Sequence, residues 1–288
     1  MSNPAEPTGL LEPVVNDSRT NQTFRFIAIV SYVLNIATNL RYSFGHRSPW
    51  DDGHQNDVGF TPFTANPEAI VLYQVITVVS QFIFLSKFFL VSPPFVNCQF
   101  VISNVLLIAW SYLFARSYYV LSELIVILNF LLLLAAYIFG RTFQIKPLKN
   151  WFAEHAACIV MPLVWSHYLI FWNGAVMFGA RNLPARLFAN CLIWVFLVFP
   201  GSLLLLTGDY ILGFMSAWIA FALGLGQLFT KVFALQWVFA FTIGTILLMC
   251  SILLAFVPPM KQYVPPALAE VREEVLHDQE TAPLLTDG

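Results

Sequence analysis

The chain has 288 residues, of which 58% are hydrophobic and only 10% charged, with a formal net charge of −2. Soluble domains carry about 25% charged residues, so a soluble fold of this composition would expose large apolar patches and aggregate. No basic face for nucleic acid is available. The four cysteines, Cys98, Cys158, Cys191 and Cys250, lie far apart in apolar runs without zinc or disulfide spacing, so neither metal nor cofactor is expected.

Residues 1–23 are polar and rich in Pro, Glu and Asn. They have no apolar core behind a basic start, so they read as a disordered cytosolic tail and not as a cleavable signal. A membrane span needs about 20 mostly apolar residues. Eight such runs follow, at 24–44, 68–91, 97–115, 120–140, 154–178, 184–206, 209–229 and 232–257. The fold class is therefore all-α, a polytopic transmembrane helix bundle. Asn35, Asn39 and Arg41 weaken the first run, which leaves a seven-span alternative. The stops between runs have chemical reasons. Ser92-Pro93-Pro94 and Pro258-Pro259 end helices, and Thr207-Gly208-Asp209 reads as a tight turn in which Asp209 caps the next helix.

The bundle is expected over 24–257, with one long polar loop at 45–66 and a mostly disordered cytosolic tail at 258–288, in which 267–277 has the pattern of a short surface helix. With eight spans, one side holds Arg19, Arg25, Lys87, Arg141, Lys146, Lys149, Lys261 and Arg272, and the other Arg41, Arg47, Arg116, Arg181, Arg186 and Lys231. That excess puts both termini in the cytosol.

Polar side chains within hydrocarbon need partners or a wet cavity. Gln74, Thr77 and Gln81 share a stripe of the second span; Asn97, Asn104 and Ser111 recur every seven residues in the third; His155, Ser166 and Asn173 share a face of the fifth, along with Pro162. Three such stripes line a cavity or path, or else make interhelical hydrogen bonds that only fix packing. Glu123 lies about a turn inside the fourth span, where Arg116 is its expected partner. His155 and His167 are expected to point roughly 120° apart on a helix and so share no metal. The small residues Ser216, Ala220 and Gly224, and Ala240 with Gly244, mark close helix seams. No P-loop, GxGxxG, GxSxG, HExxH or paired-carboxylate motif occurs.

Two acidic dileucine patterns occur, Glu6 with Leu10 and Leu11, and Glu280 with Leu284 and Leu285. A disordered tail of this kind offers two leucines to an apolar pocket and a carboxylate to a basic patch. Clathrin-adaptor complexes read such signals, so the vacuolar or endosomal membrane is expected, with the endoplasmic reticulum or plasma membrane as alternatives.

Several segments carry a family resemblance: Ser122-Glu123-Leu124 with Asn129-Phe130, Phe171-Trp172-Asn173-Gly174-Ala175, Gly208-Asp209-Tyr210, and Gly226-Gln227 through Lys231 to Gln236-Trp237-Val238-Phe239-Ala240-Phe241. Over roughly 25–257 they resemble a fungal family of multi-span membrane proteins, domain of unknown function 1774. The resemblance implies a fungal source and an all-helical membrane fold, and no catalytic residues. Gly208-Asp209-Tyr210 with Trp218, and Trp172-Asn173, give a looser likeness to TspO-like proteins. The readings from sequence are a protein that binds or transports a small amphipathic solute or lipid, an intramembrane enzyme with His155 or His167 as base, or a scaffolding membrane protein. Gln74, Gln81, Asn104, Glu123, His155, Ser166, His167 and Asn173 are the candidate polar site. Oligomeric state is not specified.

Overall fold

A computed structural model describes residues 18–44, 61–144, 148–180, 183–230 and 235–256. Every regular element among them is helical, and eight helices are long and apolar enough to cross a membrane. These spans are α1 (Gln22–Arg41), α2 (Pro67–Phe88), α3 (Pro94–Ala115), α4 (Tyr119–Phe139), α5 (Leu148–Met177), α6 (Leu187–Thr207), α7 (Tyr210–Leu228) and α8 (Gln236–Phe256). The first run is helical from Ser18 to Phe44 and is long and apolar enough to count among the eight.

Burial is inverted relative to a soluble fold. Phe139, Leu205 and Leu206 are 86%, 81% and 82% exposed, whereas Asn129, His155, Ser166 and Asn173 are fully buried. Only hydrocarbon solvates such an outer surface at no cost. The protein is a multi-pass membrane protein.

The capping chemistry follows the sequence. The Asn66 side chain accepts from the Ala69 amide at the start of α2, where Pro67 fills the first position. Gly208 adopts φ +70°, the left-handed turn that ends α6, and Asp209 Oδ1 accepts from the Ile211 and Leu212 amides at the start of α7. The expected seams form between α7 and α8, which pack together extensively. A Cβ on Gly224 would stand 3.1 Å from the Phe241 ring, and one on Gly244 3.1 Å from the Phe221 ring, so each helix sets its glycine against the other's phenylalanine.

Two features depart from the reading of sequence. Residues 61–66, the last of the polar loop, are not a solvated connection. Phe63 is buried against Phe171 and Phe196, and Asn66 donates to the Ala222 carbonyl at 2.8 Å. Gln227 Nε2 donates to the Thr61 and Thr64 carbonyls. A Cβ on Gly226 would lie 2.5 Å from the Thr64 carbonyl oxygen, so only glycine admits this close approach.

The second departure is α5. It starts at Leu148, not 154, and 83% of its most apolar stretch is buried, far more than in any other span. Trp151–Val160 is a π-helix, with the Met161 amide bonded to the Ala156 carbonyl five residues back. The next bond of that series would run from residue 162 to Ala157, and Pro162 has no N–H to give. Gln81 Nε2 donates to the Ala157 carbonyl instead, at 3.3 Å, and Tyr73 donates its hydroxyl to the Met161 carbonyl at 2.8 Å. The wide turn and the proline are thus satisfied from α2.

Candidate functional site

The sequence-predicted polar residues do not converge on one cavity. Asn104 Oδ1 accepts from Asn35 Nδ2 at 2.8 Å, Asn39 donates to Asn35 Oδ1 and Ser111 to Asn39 Oδ1, which is a ladder between α1 and α3. Gln81 serves the α5 carbonyl. Ser166 Oγ accepts from Asn129 Nδ2 at 2.8 Å. Most of the expected path is therefore interhelical bonding, the packing alternative.

Glu123 meets Asn173 and not Arg116. Asn173 Nδ2 donates to Glu123 Oε2 at 2.6 Å and to the Tyr119 carbonyl at 3.1 Å, while Ser122 Oγ donates to Asn173 Oδ1 at 2.7 Å. The Arg116 guanidinium lies over the Tyr112 ring, 5.2 Å from its centroid. A short turn follows α3, with Ser117 at φ +61°, and the arginine stays with its own helix. The carboxylate lies over Gly174, where an added Cβ would stand in ordinary contact, 3.6 Å from Glu123 Oε1.

His155 and His167 are separate, as their helical angle requires. His167 sits among the rings of Phe130, Phe171, Phe196 and Phe199, with centroids 4.7 to 5.9 Å away, and its Nε2 has no hydrogen-bond partner. His155 is the centre of the most connected polar cluster. Its Nε2 is 2.9 Å from Asp209 Oδ2 and its Nδ1 2.8 Å from Thr142 Oγ. Tyr137 Oη lies 3.1 Å from the same Asp209 oxygen and 2.9 Å from Thr207 Oγ. His155 is completely buried and Asp209 nearly so. Trp151 stacks on the imidazole at 5.4 Å.

Five elements build this cluster: the end of α4, the short 3₁₀ turn Thr142–Gln144, the π-helical part of α5, the end of α6 and the start of α7. The sequence showed Asp209 as a helix cap, which it is, but only one of its oxygens caps. Thr142 and Tyr137 were not legible as site residues. Their only signal is position, at the end of a span with no separating motif.

A different set of buried side chains has no partners. On α3, Gln99, Ser103 and Trp110 share one stripe, distinct from the Asn97–Asn104–Ser111 stripe that meets α1. Gln99 Nε2, Ser103 Oγ and Trp110 Nε1 are buried without a hydrogen bond, and so is Trp172 Nε1 of α5. The rings of Trp110 and Trp172 are 6.4 Å apart, Phe114 is 4.9 Å from Trp172, and Tyr168 stacks on Trp172 at 6.2 Å with an interplanar angle of 8°. Gln74 Nε2 of α2 is likewise buried and unpartnered.

Comparison with known proteins bears on the last part of the chain. A Schizosaccharomyces pombe protein described as uncharacterized is 34% identical over 107 residues, which cover 37% of this chain and 36% of that protein. The chain thus matches only about a third of that relative's length. No solved structure matches, so the TspO likeness finds no support there. Residues 186–285 match the family described as fungal protein of unknown function (DUF1774), a narrower stretch than the resemblance read from sequence. That stretch includes Asp209 but neither His155 nor Thr142. Over α6 to α8 and beyond, the chain is thus similar to the fungal family DUF1774.

Proposed function

We propose that the bundle binds a small amphipathic solute or lipid along the Gln99–Ser103–Trp110 stripe of α3, which meets Trp172 of α5 at Trp110. The observation that carries this reading is the four unpartnered polar atoms there. More than 90% of buried polar groups in native structures are bonded. Each one left unmet costs about 1–3 kcal/mol. Two of the four groups are indole N–H, which can only donate, so the missing molecule supplies acceptors: carbonyl, phosphate or hydroxyl oxygens. From Gln99 to Trp110 the stripe rises about 16 Å along the helix. Its walls are aromatic. An elongated, largely apolar molecule with a few oxygens fits such a seam. The three stripes that first suggested a cavity contribute little, because they are mostly satisfied within the bundle.

The test is to purify the full chain in mild detergent, extract it and identify lipids and metabolites by mass spectrometry. One chemical class should be enriched near stoichiometrically over the bulk membrane extract. Its recovery should fall at least tenfold in Trp110→Phe/Trp172→Phe, which keeps the rings and removes both donors; tenfold corresponds to about 1.4 kcal/mol. A bound mixture identical to bulk lipid in both proteins would overturn the reading and leave a scaffolding role.

For location, we propose the vacuolar or endosomal membrane, with both termini in the cytosol and adaptor complexes as partners. The support is the pair of dileucine patterns, both of which lie outside the described residues. Changing Leu10, Leu11, Leu284 and Leu285 to Ala should move a fluorescent fusion to the plasma membrane. An unchanged distribution would remove the proposal.

A further inference from the structure

The order of groups at the His155 cluster is hydroxyl, imidazole, carboxylate. Asp209 Oδ1 is occupied by two α7 amides, whereas Oδ2 faces the His155 ring and the Tyr137 hydroxyl. An ionised Asp209 accepts the Nε2–H of His155, which fixes the proton on that nitrogen. The other nitrogen, Nδ1, then carries a bare lone pair aimed at Thr142 Oγ, 2.8 Å away. A helix cap requires none of this. An activated nucleophile requires all of it: a hydroxyl within reach of a base, and the base oriented by a third group.

The place suits an approach from the bilayer edge. Thr142 is fully buried, yet its neighbours Arg141 and Gln144 are exposed at the end of α4. Arg141 adopts φ +45°, an uncommon backbone state for a residue with a side chain, and it turns the chain so that Thr142 faces inward. The other acidic group along the segment, Glu154, is buried one residue before the imidazole. The titratable groups facing the imidazole are Asp209 and Tyr137.

We propose that Thr142, His155 and Asp209 form an acyl-transfer centre that cleaves an ester bond of an apolar, membrane-soluble substrate. This rests on the reading that the bundle binds an amphipathic molecule, and it makes that molecule an ester. Thr142 Oγ attacks the ester carbonyl carbon while its proton passes to His155 Nδ1. The bond from that carbon to the alcohol oxygen breaks, and His155 returns the proton to the departing alcohol. An acyl group then remains on Thr142. Water, giving a proton to His155, attacks the same carbon and releases the carboxylic acid; His155 hands the proton back to Thr142. The sum is ester plus water to acid plus alcohol. Asp209 is a positioning residue, since it holds the imidazole, the Tyr137 hydroxyl and two α7 amides and acts on Thr142 through the imidazole.

The purified full chain is assayed with p-nitrophenyl octanoate, and separately treated with an alkyl fluorophosphonate before peptide mass spectrometry. The wild type should release p-nitrophenol and carry the phosphonyl adduct on the peptide containing Thr142. Thr142→Val and His155→Gln should lose the adduct and drop turnover by about 100-fold or more, while Thr142→Ser retains both. Thr142→Val differs from threonine by one atom and keeps the volume, so its melting profile shows that loss of turnover is not loss of fold. In Thr142→Val the co-purifying molecule should be an intact ester. No turnover and no adduct in folded wild type, or turnover that survives Thr142→Val, overturns the acyl-transfer centre. If the enriched molecule still co-purifies, the binding reading stands without it; if nothing is enriched, both fall.

Discussion

The two ends of α5 each bury an acidic side chain from a neighbouring element, and they hold it in different ways. At one end, Asp209 takes contacts from His155, Tyr137 and two α7 amides, joining α4, α5 and α7, with Thr142 attached through the imidazole. At the other, Glu123 accepts from the Asn173 amide, and the cluster with Ser122 joins α4 and α5. The difference teaches that formal charge is a poor guide to what a buried acid does. What matters is how many elements lose a partner when it changes.

The largest effect is expected from Asp209→Asn. The change keeps the shape, but one oxygen becomes NH₂. With its oxygen kept on the Ile211 and Leu212 amides, the new NH₂ faces His155 Nε2 and the Tyr137 hydroxyl, and to receive it the imidazole must change tautomer and the bonds to Thr142 and Thr207 must reverse. Four bonds meet at Asp209, and each one weakened or left unmet costs about 1–3 kcal/mol. Size-exclusion of a detergent-solubilised fusion should show a severe loss of the monodisperse species. A wild-type profile would show that the cluster is peripheral to folding.

Asn173→Leu probes the other end. It takes the Asn173 donor from the Glu123 carboxylate and the Tyr119 carbonyl, at about 1–3 kcal/mol for each buried group left unmet, while the Ser122 hydroxyl keeps the Tyr119 carbonyl. The melting midpoint should fall, but the folded species should survive, since only one helix pair is affected. A loss as complete as that of Asp209→Asn would erase the distinction between the ends.

Between the ends, Gln81→Leu leaves the Ala157 carbonyl without its donor and should cost about 1–3 kcal/mol. The sharper measurement is a cycle with Pro162→Ala. Alanine restores an N–H at residue 162, the donor that the π-helical series lacks. Gln81→Leu should therefore cost clearly less in that background. Equal costs in both backgrounds would show that Gln81 does not stand in for the missing amide.

How much of this was legible follows from the same geometry. The eight spans and the α7–α8 seam were readable because length, apolarity and the spacing of small residues are local properties. Asn104 and Ser166 were identified as buried polar groups, but their partners Asn35 and Asn129 lie on other spans, and no spacing in one helix reveals which span is adjacent. Glu123 was paired with Arg116 because they are near in sequence. A turn at Ser117 and the ring of Tyr112 keep the arginine on its own helix, and Asn173, fifty residues on, takes its place. Thr142 was invisible for a related reason: its role depends on a 3₁₀ turn meeting a π-helix, and neither has a strong sequence signature. The π-helix itself had one partial sign, Pro162, but not the donors that make it tolerable.

The smallest effect is expected from Glu123→Gln, the counterpart of Asp209→Asn. Here the acid-to-amide change leaves one carbonyl oxygen, and one is sufficient, because Asn173 Nδ2 donates to a single oxygen, Oε2. The amide can turn that oxygen toward Asn173. Its NH₂ then occupies the place of Oε1, above Gly174, where even an added Cβ would meet only ordinary contact. No second donor is confronted. Removing the charge also removes a desolvation cost, and replacing buried ionic groups by neutral ones of the same shape is often neutral or stabilising. The melting midpoint should therefore match wild type or rise slightly. A fall as large as that of Asn173→Leu would mean that the carboxylate, and not the hydrogen bond it accepts, holds this end of α5 to α4. The two ends would then differ in degree and not in kind.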